Sequence, residues 1–302
     1  MKNKFELVTK RLCRLAIIVL VALIGFSFAS CSNGSTDGPS ETVYVAGYYE
    51  NGTTNIACYW KNGTRTNLST VESYATAITV SGSDVYVAGY YSSGSANIAC
   101  YWKNTKDDKT DLSTGNSSAS AIAVVGPDVY VAGVYRNGTV WTACYWKNTK
   151  DDKTYLSTGD YRSNAYAIAV EGSDVYIAGS YSDGTVTTAC YWVDNATATI
   201  GPPDVYSRAD AIAVSGSSVY VAGGYSNGSD WIACYWEGAT KTDLGVGNYE
   251  SWNAIAVTGS DVYVAGCYDD GGIYKACYWK NGTKKELSDV KSYATGIVVI
   301  TK

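Results

Sequence analysis

Residues 73–103 read SYATAITVSGSDVYVAGYYSSGSANIACYWK, and this stretch decides the fold. Three runs rich in Tyr, Val, Ile, Trp and Cys are separated by SGSD and SSGS, which is strand and tight-turn chemistry. A charged turn, KNTKDDKT, and a short DLS follow, so the unit holds four short antiparallel strands. Alternation puts Val85, Val87 and Gly89 on one face and Tyr86, Ala88 and Tyr90 on the other. Neither face is polar, so the sheet must be sandwiched between neighbours.

The unit recurs along the chain. V-Y-V-A-G returns with its tyrosine at Tyr44, Tyr86, Tyr130, Tyr176 (as VYIAG), Tyr220 and Tyr263, at spacings of 42, 44, 46, 44 and 43 residues. A-C-Y-W returns in phase, with Cys58, Cys100, Cys144, Cys190, Cys234 and Cys277. Four strands every 44 residues or so match a propeller blade. The first unit begins at TVYVAG without the AIAV-like strand that opens each later one, and the chain ends in SYATGIVVI, which reads as that strand. The expectation is an all-β, six-bladed β-propeller of four-stranded antiparallel blades over residues 43–302, closed by residues 296–300 completing blade one. An open stack of hairpins is the structural alternative.

The units resemble bacterial β-propeller repeats built on S-x-A-x-A-I-A-V, a glycine turn and V-Y-V-A-G-Y. Ser73 to Val80 with Asp84 to Tyr90, and Ser163 to Val170 with Asp174 to Gly179, carry the likeness. The resemblance implies the propeller fold on an exported protein and little about activity. Trp252 departs from it, standing where Ala75, Ala119, Ala165, Ala209 and Ala294 are small.

Residues 1–30 are set apart by a basic flank (Lys2, Lys4, Lys10, Arg11, Arg14) and the apolar run LAIIVLVALIGFSF from Leu15 to Phe28. That run is signal-peptide length, short of the roughly twenty residues a permanent membrane helix needs; an uncleaved anchor is the alternative. Phe28-Ala29-Ser30-Cys31 resembles a bacterial lipoprotein signal, with phenylalanine in place of the usual leucine. The resemblance implies cleavage before Cys31, acylation (palmitate among the acyl groups) of its thiol and a flexible tether over residues 31–42. Ser32 after the cysteine matches the pattern of lipoproteins sent to an outer membrane. The chain past residue 30 carries 18 Lys and Arg against 27 Asp and Glu, a net charge of −9, which disfavours nucleic acid as a partner. A monomeric propeller anchored to the membrane through Cys31 is the expected assembly.

The chain has no histidine, which removes Ser-His-acid and Cys-His catalysis and His-based metal sites. A glycosidase or lyase working through carboxylates stays open. Asp84, Asp128, Asp174 and Asp261 each precede a VY strand, and turn capping accounts for them. Asp107-Asp108 and Asp151-Asp152 lie in another copied turn without calcium-loop spacing, so no metal or other cofactor is expected. Rotational symmetry should hold the six A-C-Y-W cysteines too far apart for disulfides. Cys267, if DDGG centres its hairpin, lies opposite Tyr274 rather than Cys277. Trp60, Trp102, Trp146, Trp192, Trp236 and Trp279 read as inter-blade packing rather than a glycan ladder, and the N-G-T and N-G-S triplets as turns.

Residues that vary between blades point to a partner. Loops entering the innermost strands and loops joining the second and third strands open on one face of a propeller. The first group carries Tyr74, Tyr166, Arg208, Asp210, Trp252, Asn253 and Tyr293; the second carries Trp141, Trp231 and Tyr274. Aromatic and polar groups at a ring mouth suit a glycan or a peptide. The leading expectation is a non-catalytic binding module for a glycan or protein ligand; a structural or assembly lipoprotein of the envelope and a carboxylate-dependent enzyme are the alternatives.

Overall fold

The computed structural model describes residues 42–157, 161–247, 254–294, 296, 297 and 299. Blade one comprises β1 (Tyr44–Asn51), β2 (Thr54–Lys61) and β3 (Thr64–Asn67). Blade two comprises β4 (Ser73–Ser81), β5 (Asp84–Ser92), β6 (Asn97–Lys103) and β7 (Lys109–Asp111). Blade three follows with β8 (Ser117–Val125), β9 (Asp128–Asn137), β10 (Val140–Lys147) and β11 (Lys153–Tyr155), and blade four with β12 (Ser163–Glu171), β13 (Asp174–Ser182), β14 (Thr187–Val193) and β15 (Ala196–Thr199). Blade five is β16 (Ser207–Ser215), β17 (Ser218–Ser226), β18 (Trp231–Glu237) and β19 (Thr240–Gly247); blade six is β20 (Ala254–Thr258), β21 (Asp261–Asp270), β22 (Ile273–Lys280) and β23 (Thr283–Glu286). Neighbouring strands within each sheet are sequential and antiparallel, as the hairpin spacing predicts.

The repeated words have separate structural duties. The serine that opens β4, β8, β12 and β16 is fully buried, and its Oγ accepts the N–H of the A-C-Y-W alanine in the preceding blade. These bonds join Ser73 to Ala57, Ser117 to Ala99, Ser163 to Ala143 and Ser207 to Ala189 at 2.8–2.9 Å. Two residues further on, each first strand bulges, with a register shift between Ala75 and Ala77 in blade two and its equivalents in blades three to five. The bulge pushes a carbonyl against the glycine of V-Y-V-A-G. A Cβ at Gly89, Gly133, Gly179 or Gly223 would collide with the carbonyl oxygen of Tyr74, Ser118, Asn164 or Arg208. Glycine is therefore required for close approach rather than for its turn conformations.

Between blades the contact is apolar. Val175, Ile177, Cys190 and Trp192 of blade four pack on Tyr130, Ala132, Ala143 and Leu156 of blade three, and the pattern repeats at the other joints. Trp102, Trp146, Trp192, Trp236 and Trp279 are among the largest fully buried side chains and form inter-blade core, whereas Trp60 of blade one is only half-buried. Four A-C-Y-W strands run into a left-handed asparagine, Asn62, Asn104, Asn148 and Asn281, and in blades four and five Asp194 and Gly238 take the same conformation. Asn104 (φ 62°) accepts the Val85 N–H and donates to Asp84, whose other oxygen pairs with Lys103 at 2.8 Å. Asn148 with Asp128 and Lys147, and Asn281 with Asp261 and Lys280, repeat the bracket. These lysine and asparagine contacts hold the three aspartates below the ordinary carboxylate range. Their duty is structural.

Two expectations are corrected. The ring is not closed by the C-terminal strand: the first sheet has three strands, β1-β2-β3. Among the described residues the terminal segment bonds blade six instead, with Ser292 N–H donating to Tyr274 O, Ala294 N–H to Gly266 O, and Ser292 Oγ accepting from Ala276 N–H. Ser292 thus makes to Ala276 the joint that Ser73, Ser117, Ser163 and Ser207 make to the blade before them, but β1 pairs with β2 alone; a strand pairing across the whole chain would close a longer loop at higher entropy cost. The open seam is visible in exposure. Val45 of blade one is 51% exposed while Val87, Val131, Ile177, Val221 and Val264 are at most 1%; Leu287 of blade six is 59% exposed against 1–3% for Leu68, Leu112 and Leu156. The second correction is register. Cys267 lies opposite Ala276, not Tyr274, because the hairpin turns on the two positive-φ residues Gly271 and Gly272 alone. The seven described cysteines are buried and form no disulfide. Burial pushes the thiols of Cys100, Cys144, Cys190 and Cys234 well up, so they behave as small apolar groups.

Ser163→Ala would leave the buried Ala143 N–H without its acceptor, for an expected loss of about 1–3 kcal/mol, read as a lower urea midpoint at unchanged slope. Ser118→Ala, at a half-buried site on β8, should change the midpoint little.

Candidate functional site

The first strand of each blade begins where its second strand ends. Ser73 pairs with Tyr91, and Ser92, which starts the hairpin to β6, donates its N–H to Glu72 O. The same bond links Arg136 to Asn116, Ser182 to Arg162 and Ser226 to Tyr206. The two loop groups therefore share one face, called the mouth below.

At the joint of blades four and five, Arg208 and Asp210 on β16 form a buried ion pair from guanidinium Nε to carboxylate Oδ1. Their side chains are 8% and 1% exposed. The Arg208 guanidinium stands 5.5 Å from the ring centroid of Tyr166, the bulge residue of β12, so the three groups meet across the joint. Burial raises the Tyr166 phenol, with Ser180, Arg208 and Arg162 pulling the other way. Burial also pushes Asp210 up to about 6, against the lowering pull of Arg208. Its Oδ2 is buried and has no hydrogen-bond partner among the described residues.

The remaining aromatic residues form separate pairs. Tyr74 stacks on Tyr90 at 5.1 Å and meets Tyr48 edge-on at 4.9 Å; its hydroxyl accepts from Asn55 Nδ2 and donates to Glu72 Oε1. An open cleft beside this trio is lined by Thr54, Val71, Glu72, Tyr91 and Ser93. Trp231 lies 6.1 Å from Tyr206 and packs over Gly224, where a Cβ would strike the indole. Tyr274 lies 6.4 Å from Tyr293. Trp141 sits on β10 opposite Arg136, half-buried. Trp252, Asn253 and Cys31 lie outside the described residues. The residues that sequence reasoning missed are Tyr48, Tyr90, Asn55, Glu72 and Tyr206. Tyr48 and Tyr90 were legible as the last letter of V-Y-V-A-G-Y, which falls beside the mouth only through the hairpin register.

Among the described residues no three His, Cys, Asp or Glu side chains cluster to hold a metal. Only burial and Arg208 shift Asp210; no second carboxylate contributes.

No protein-family model matches the chain, and no curated protein is similar to it in sequence. Among solved structures it is similar to TolB from Acinetobacter baumannii, with a TM-score of 0.54 and 6% identity over 83% of this chain and 65% of TolB, short of two thirds of that protein's length. It is also similar to the β-propeller domain of the Trilobed protease from Pyrococcus furiosus, described as having an open velcro topology, with a TM-score of 0.51 and 10% identity over 82% of this chain and 78% of that one. At such identities the likeness shows fold alone, and with the six stacked sheets it defines the protein as a β-propeller.

Because the folded state holds the Asp210 proton up to about 6 whereas the unfolded chain releases it near 3.8, the native state binds more protons between those values. This group therefore favours folding at low pH and ceases to do so as pH rises to about 6. Thermal melts between pH 4 and 7 should show a smaller fall in stability for Asp210→Asn than for the wild type; equal slopes would place the titration elsewhere.

Proposed function

We propose that the protein is exported, lipid-anchored through Cys31 to the outer membrane, and acts as a monomeric, non-catalytic binding module for a glycan or protein ligand at the mouth. One observation carries the reading. At the bulge position of blade two, Thr76 satisfies the fold with a hydroxyl bonded to the carbonyls of Ala88 and Ala119. In blades four and five the bulge position holds Tyr166 and Asp210, with Arg208 two residues before Asp210, and burying that ion pair costs desolvation that the fold does not require. Charged groups retained at such a cost suit recognition: the half-buried Tyr166 offers a stacking face, and the buried Arg208–Asp210 pair beside it sets the charge and position of that face. Tyr74, Tyr274, Tyr293, Trp141 and Trp231 would supply further stacking contacts around the mouth, with Trp252 and Asn253 beside them by sequence.

A carboxylate enzyme needs two acids facing one another, and among the described residues Asp210 is the one carboxylate that shifts beside Arg208, which supports binding over catalysis. The exposed Val43, Val45, Leu287 and Val290 at the seam favour the second reading, a structural or assembly lipoprotein. The anchor rests on the sequence FASC and on its likeness to lipoprotein signals.

A glycan and peptide array probed with the protein in polyoxyethylene detergent separates the two. A ligand bound by the wild type and weakened at least tenfold by both Tyr166→Ala and Arg208→Ala supports the module; silence across the array supports the structural role. Radiolabelled palmitate should enter the wild type and not Cys31→Ala.

A further inference from the structure

On the outer edge of the propeller the chain repeats one more device. In every blade a tyrosine of the second strand lies beside the fourth strand, and in five of them a cation from the fourth strand covers its ring. Arg65 stands 3.6 Å from the Tyr49 centroid, Lys109 3.4 Å from Tyr91, Lys153 3.5 Å from Tyr135, Lys241 3.7 Å from Tyr225 and Lys284 3.3 Å from Tyr268. These cations occupy one register, each opposite the A-C-Y-W tryptophan. In blade four Thr197 holds that register, opposite Trp192, so no fourth-strand cation covers Tyr181.

Three of the five cations also pair with an acid two residues on, Lys109 with Asp111, Lys241 with Asp243 and Lys284 with Glu286; Asn67 and Tyr155 hold that place in blades one and three, and in blade four Thr199 does, its hydroxyl bonding the Tyr181 hydroxyl at 3.0 Å. Beside Thr197 and Thr199 a cleft of about 440 Å³ opens between blades three and four, lined among others by Tyr155, Tyr181, Ser157 and Asn195. That volume falls in the range of small-molecule sites. Among the described residues the lining holds no carboxylate to balance a cation, and Lys153, 4.6 Å from the Tyr155 ring, already places a positive charge at one wall. What remains is an aromatic face surrounded by hydroxyls and an amide. We propose that this cleft binds a neutral pyranose ring, its C–H face stacked on Tyr181 and its hydroxyls bonded by Thr197 and Asn195. The site is separate from the mouth and stands whether or not the mouth binds a ligand.

The chain supplies its own control. Thr197→Lys with Thr199→Asp installs the pair that blades two and five already carry, so it fills the cleft by a geometry the fold accommodates. Titrations of the full-length protein with maltohexaose, cellohexaose, mannohexaose and tetramethylammonium chloride, read by saturation-transfer NMR and calorimetry, test the site. At least one hexaose is expected to bind, with a loss of tenfold or more in the double variant and in Tyr181→Ala while the melting curve of the double variant stays at or above that of the wild type. Binding that survives the double variant but is lost in Tyr166→Ala belongs to the mouth and overturns the proposal. So does preference for tetramethylammonium, or no binding of any hexaose.

Discussion

The architecture depends on one buried hydrogen bond repeated at successive joints, from the alanine N–H of A-C-Y-W to the serine Oγ that opens the next blade. At that alanine the ladder to the fourth strand is ending, and its carbonyl takes the last bond, as Ala57 does from Leu68. The N–H would otherwise be orphaned in an apolar interface, at a cost comparable to the net worth of several surface contacts. Serine answers it from the adjacent chain and fixes how far one blade is displaced against the next. The valine and tryptophan faces supply most of the burial, but burial is not directional, and the serine is what makes the four joints from blade one to blade five alike.

Much of this was legible because repetition turns weak local signals into strong ones. Strand order, the two apolar faces and the packing duty of the tryptophans follow from alternation and from six copies of each word. The partner of the serine was not legible, since it lies one blade back, and neither was the reason for the glycine of V-Y-V-A-G. That glycine answers a bulge in a different strand, and a bulge leaves no mark in hydrophobic periodicity. Gly47 makes the point in reverse: with no first strand beside it, the nearest atoms to a Cβ there belong to Trp60. Closure was misjudged because the words at the two chain ends match, and matching words state what pairing is possible rather than which one forms.

The site was less legible than the fold. Tyr166, Arg208 and Asp210 were singled out as departures from the repeat, and the joint brings them together because the bulge of one blade faces the first strand of the next. The other candidates lie around the mouth in separate pairs, which spacing alone does not reveal. The cleft of Tyr181 went unseen for a different reason. It is marked by what a threonine fails to do, and only the column Arg65, Lys109, Lys153, Thr197, Lys241 and Lys284, set side by side, shows the missing cation.

An open seam also changes how the molecule holds together in time. A closed ring has no end from which to loosen, whereas a row of blades behaves as a one-dimensional stack whose outermost members have one neighbour each. Blades one and six, with Val45 and Leu287 uncovered, are the parts that should open first and exchange their amide protons earliest. The joint of blades three and four lies midway between the two ends. The cleft beside Tyr181 is thus carried on the stiffest part of the stack.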